Sequence, residues 1–109
     1  MHTSLADHRA AIDQATQEHE RARSRHELAE RVASEFKSYL QRVRAAMDAA
    51  PADCDPLRQR LQFVLASASQ ELFEVVQSEQ DRVIDAERLL ARTRESLRRA
   101  ERASTKSRP

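Results

Sequence analysis

The residues best equipped for chemistry in this chain of 109 are His8, His19 and His26, a single thiol at Cys54, and a dense population of carboxylates. The three histidines stand eleven and then seven residues apart. That spacing returns them to one side of a helix but separates them too widely for two to grip one ion, as a pair four residues apart can. A mononuclear metal site would have to recruit Glu79 and a second chain, so no metal is expected. Two uses of the imidazoles remain: polar layers that set the alignment of packed helices at some loss of stability, or a pH-responsive opening, since imidazole titrates near physiological pH. Cys54 lies between Asp53 and Asp55, and neighbouring acids disfavour the reactive thiolate. The chain has no glycine, which rules out a glycine-rich phosphate loop. Carboxylates on exposed helices have no pocket that would exclude water or tune them for acid-base work. The sequence therefore reads as non-enzymatic and without a cofactor.

The elements that carry these residues are written in the breakers. Two long stretches without glycine or internal proline flank one segment, Ala50 to Pro56, that holds two prolines and two acids around Cys54. This predicts one domain over residues 1–109: a helix over 4–49, a turn over 50–56, a helix over 57–103, and a frayed tail over 104–109. Ser4 with Asp7 forms a box-like start for the first helix, and Asp55 before Pro56 reads as the N-cap of the second. Hydrophobic residues make up 39%, aromatic residues only 4% and charged residues 34% of the chain. That is the composition of long helices joined along a narrow seam and not of a sheet protein.

The seam can be followed residue by residue. In the first helix an unbroken 3-4 repeat runs through Leu5, His8, Ile12, Ala15, His19, Ala22, His26, Ala29, Ala33, Phe36, Leu40, Val43, Met47 and Ala50. In the second, steps of three and four with an extra four-residue step, which locally underwinds a coil, run through Leu57, Leu61, Leu65, Ala68, Leu72, Val76, Glu79, Val83, Ala86, Leu90, Thr93, Leu97 and Ala100. Such a repeat specifies a left-handed coiled coil. Folding one stripe onto the other sets small against large, with Ala15 facing Leu90, Ala22 facing Val83 and Ala33 facing Leu72, and brings Leu40 against Leu65. His26 faces Glu79. The fold-back point falls between Ala52 and Asp53, inside the segment that composition alone marks as the turn. The fold class is all-α, an antiparallel two-helix coiled-coil hairpin.

Two helices cannot bury every apolar residue. Leu28, Val32 and Tyr39 on the first helix, with Phe63, Val64, Phe73 and Val75 on the second, overflow one contact stripe per helix, and together with the stripe residues Phe36 and Val76 they make up the expected turn-proximal interface. A second copy or a heterologous helical protein is expected to cover it, completing a four-helix bundle. The leading function is contact with protein, as an adaptor, chaperone, inhibitor or assembly component, for instance of a secretion complex. The alternative uses the basic end of the second helix to hold nucleic acid. From Arg88 to Pro109 eight Lys or Arg stand against Glu95 and Glu101, and Arg92, Arg98, Arg99 and Arg102 are the candidate contacts for an anionic partner. A net charge of +1 and the lack of interleaved aromatics make nucleic acid the weaker choice. No apolar run could span a bilayer and the start has no signal-peptide pattern, so a cytoplasmic protein is expected.

Overall fold

The computed structural model describes residues 4–106 and is all-helical over them apart from the turn. Helix α1 runs Leu5–Asp48, a single 3-10 turn spans Ala52–Cys54, and helix α2 runs Asp55–Lys106. Together they form the predicted hairpin.

Each helix limit has a local cause. At the start of α1 the Asp7 N–H donates to Ser4 Oγ at 3.1 Å, and the Ser4 N–H donates to Asp7 Oδ2 at 3.4 Å. This reciprocal cap satisfies two backbone donors that the first turn leaves without helical partners. At its other end α1 tightens, the Ala50 N–H donating to the Met47 carbonyl at 3.1 Å. Pro51 then stops it, because its ring disfavours the helical conformation in the residue before it and it has no N–H to offer. Pro51 itself is extended, with φ −62° and ψ 158°.

Two expectations about helix ends are corrected. Asp55 has φ −54° and ψ −45°, a helical conformation that a capping residue does not adopt. Its carboxylate pairs with Arg58. The second helix also runs on to Lys106, so residues 104–106, expected to fray, are helical, while 107–109 lie outside the described residues. Glu101 accepts a hydrogen bond from Thr105 Oγ1 at 2.9 Å there.

The chain divides into two compact units, one of residues up to Arg25 with those from Gln80 onward, the other His26–Glu79. In the first unit, Leu5, His8, Ile12, Ala15, His19 and Ala22 of α1 are the seam positions, all buried or half-buried. They meet an α2 stripe in which Leu90 is 6% exposed. In the second unit Leu40 and Met47 are the buried apolar side chains, with Phe36, Leu65, Leu72 and Val76 half-buried around them. Among the described residues no side chain is shut off completely from solvent, as a seam one side chain deep requires.

Near the turn the α2 stripe departs from its expected path. Leu57 and Leu61, assigned to the seam by spacing, are 55% and 41% exposed, and half-buried Arg58 turns inward instead. The reason is polar. The last carbonyls of α1 need donors, and Arg58 supplies them, Nε to Met47 O at 2.9 Å and Nη2 to Ala50 O at 2.8 Å.

Candidate functional site

The most distinctive surface of the molecule lies in the unit His26–Glu79. Leu28, Val32, Tyr39, Phe63, Val64 and Phe73 are all exposed, Phe63 by 75% and Val64 by 60%. Each sits on a regular helix whose single inward stripe is already occupied by the seam. With 3.6 residues per turn, apolar residues beyond that stripe have no third helix to cover them. Phe36 and Val76, grouped with them on sequence grounds, are half-buried in the seam. The Phe36 ring still touches the surface set, its centroid 6.4 Å from that of Tyr39 at a 37° tilt. Leu57 and Leu61 add to the exposed apolar set of this unit, and Val75 of the expected overflow is exposed with them. The first two were assigned to the seam, and only Arg58's inward turn, invisible to periodicity, sends them outward. The other unit shows Ile84 and Leu89 at 36% and 40%, so the apolar excess is concentrated near the turn.

The histidines are placed where the repeat puts them. His8, His19 and His26 are half-buried, as is Glu79. Within the first unit His19 Nε2 lies 3.4 Å from Glu87 Oε1 across the helix pair, one residue from its expected partner Ala86, which supports the antiparallel register. His26 Nε2 lies 3.1 Å from Glu30 Oε1 on its own helix, but the two are not aligned for a hydrogen bond and this nitrogen is left unsatisfied. A shielded polar atom without a hydrogen bond destabilises. His26→Leu is therefore expected to raise the thermal midpoint, since leucine is the usual occupant of such a seam position. A lower midpoint in a melt followed by circular dichroism would show that the imidazole has a partner that matters. Among the described residues no group of three or more His, Cys, Asp or Glu gathers to hold a metal ion.

Cys54 is half-buried, with Sγ 3.9 Å from Asp53 Oδ1. The basic end of α2 is as exposed as its spacing implies: Arg92, Arg98, Arg99 and Arg102 all face solvent. Two of them are engaged within their own helix, Arg98 Nη1 at 3.3 Å and Arg99 Nε at 3.4 Å from the Glu95 carboxylate. Their charge is shared with Glu95, which reduces the field this end can offer to a polyanion. Between the helices of the turn-proximal unit, a groove of about 340 Å³ is lined by Arg44, Met47, Asp48, Gln62, Leu65 and Ala66. It contains no nucleophile beside a base.

Among the described residues no helix is long and apolar enough to cross a membrane. Comparison with family models, with curated proteins and with solved structures finds no match to this chain.

Proposed function

We propose that the chain is a non-enzymatic helical-hairpin module that works by protein-protein contact, docking through the apolar surface of the unit His26–Glu79. The observation that carries this reading is the concentration of exposed Leu28, Val32, Tyr39, Phe63, Val64 and Phe73 on two helices whose inward stripes are already filled. Large apolar patches on soluble proteins mark interaction sites. A two-helix seam gains a second buried layer when further helices cover it, which completes a four-helix bundle. The partner is accordingly a helical protein, whether another copy or a different chain.

The test compares the wild-type chain with a triple variant, Leu28→Gln, Val32→Gln and Tyr39→Gln, by size-exclusion chromatography with light scattering, alone and in a clarified lysate of its source. Wild type is expected to run as a species larger than one chain in at least one setting and the variant as a helical monomer in both. Two helical monomers in both settings would overturn the reading.

A further inference from the structure

We infer that the face of this surface that carries Tyr39 is covered by a second copy of the chain, docked antiparallel about a two-fold axis that passes beside Tyr39. The inference rests on the protein-contact reading above and deepens it by naming the partner and its orientation. It follows from where the exposed residues sit relative to the seam. On α1, Leu28, Val32 and Tyr39 each come one residue before a seam position, namely Ala29, Ala33 and Leu40. On α2, Leu57, Val64 and Val75 come one residue before the inward-turned Arg58 and before Leu65 and Val76. A residue one step earlier lies about 100° back around the helix. Two antiparallel helices are interchanged by a two-fold axis perpendicular to the plane that contains them, so flanks of the same rotational sense lie on the same face of the pair. All six side chains therefore form one strip on one face. Phe73, one residue after seam Leu72, lies on the opposite flank.

The charges on this strip select its occupant. Glu35, Arg42 and Glu71, each also one residue before a seam position, share the same face, as does Arg60, which lies about 200° round the helix from inward-turned Arg58 and so within about 60° of Leu57; all four are exposed. In the antiparallel register Glu35 and Glu71 stand at one level, on the far side of Tyr39 from the turn. Arg42 and Arg60 stand about one helical turn apart on the near side. The strip thus carries an acidic pair on one side of its middle and a basic pair on the other. Rotation by 180° about Tyr39 lays acids over bases twice. Glu35 comes level with Arg42 and Val43 of the second copy, and Glu71 with Arg60 and Leu61. The same rotation sets Tyr39 on its own counterpart and Val75 on Leu57. A parallel dimer would instead set Glu35 against Glu71 and bring Arg42 within a turn of Arg60, like against like. Self-complementarity of this kind is what an isologous two-fold contact requires.

Cys54, the only cysteine, reports the orientation without any mutation. Spin-labelled at Cys54 and measured by double electron-electron resonance, the antiparallel dimer is expected to give a separation of about 40 Å, because each label sits roughly 20 Å along the helix axis from Tyr39. A separation below about 20 Å, which a parallel or domain-swapped dimer would give, overturns the inference, and so does a monomer without dipolar coupling. In the monomer case a lysate species lost in the triple variant would still uphold the protein-contact reading, so the two failures are distinguishable. A second arm needs no label. Glu35→Arg is expected to weaken self-association about tenfold by setting arginine against Arg42 in two symmetric places, and Glu35→Arg with Arg42→Glu to restore it to within about twofold. A dimer that ignores both changes overturns the proposed axis.

Discussion

Arg58→Ala is expected to lower the stability of the turn-proximal unit by about 2 kcal/mol, a fall of about 10 °C in thermal midpoint for a chain of this size. One guanidinium serves the end of α1 twice, through Met47 O at 2.9 Å and Ala50 O at 2.8 Å, and is itself held by Asp55. The last turn of α1 carries no basic residue of its own and ends on Asp48, so Arg58 is the cation that complements the negative end of the helix dipole. Removing it leaves two carbonyls to find water and an acid beside a helix C-terminus. The side chain is 23% exposed, which lets water replace part of what is lost and keeps the expected effect below that of a fully buried charge. Arg58→Lys should recover less than half, since one ammonium cannot span two carbonyls in the fixed fork that arginine presents. Midpoints of wild type, Arg58→Lys and Arg58→Ala should therefore fall in that order by circular dichroism. Equal midpoints for wild type and Arg58→Ala would show the clamp to be ornamental.

Arg58 also marks where sequence reasoning stops. The 3-4 repeat located every seam position of α1, because burial in a helix pair depends on angular position, and angular position is arithmetic on residue number. On α2 the same arithmetic holds from Leu65 to Ala100 and fails at Leu57 and Leu61. There the competing demand is a pair of unsatisfied carbonyls, and a polar side chain takes the inward place that hydrophobicity assigns to leucine. The signal was present in principle: an arginine in the first turn after a proline-bounded reversal lies beside the end of the preceding helix. Asp55 misled for the same reason. Its type and its place before Pro56 suit a cap, but Arg58 claims its carboxylate and the 3-10 turn already holds it helical.

The candidate surface was legible in outline and not in layout. Counting apolar residues beyond two stripes reveals an excess near the turn and names its exposed members Leu28, Val32, Tyr39, Phe63, Val64, Phe73 and Val75. Phe36 and Val76, expected at the interface, also stand on the two stripes, and the structure keeps them half-buried there. Their half-burial separates the two groups, and that separation divides the excess into flanks, with Phe73 on one and Tyr39 on the other. A docking geometry can be argued from flanks but not from a count.

Leu90→Ala should be the most damaging truncation in the other unit, at about 3 kcal/mol. Leu90 is 6% exposed, and the buried α1 residues of this unit are the alanines Ala15 and Ala22. With alanine on the facing helix, the leucine supplies the bulk of its layer, and its loss leaves a gap that no neighbouring large side chain fills. Ile84→Ala in the same helix is the control: its side chain is 36% exposed, so truncation should cost under about 1 kcal/mol. Urea titration followed by circular dichroism compares the two directly, and similar midpoints would mean that Leu90 is not a core residue. Amide hydrogen exchange then asks a second question of the same variant. Few side chains tie each layer to the next in a seam this thin, so opening should be local. Leu90→Ala should speed exchange in residues 8–22 and 83–97, and Arg58→Ala in residues 43–62. If either variant accelerated both stretches equally, the helices would open as one cooperative structure, and the division into two units would describe packing without describing stability.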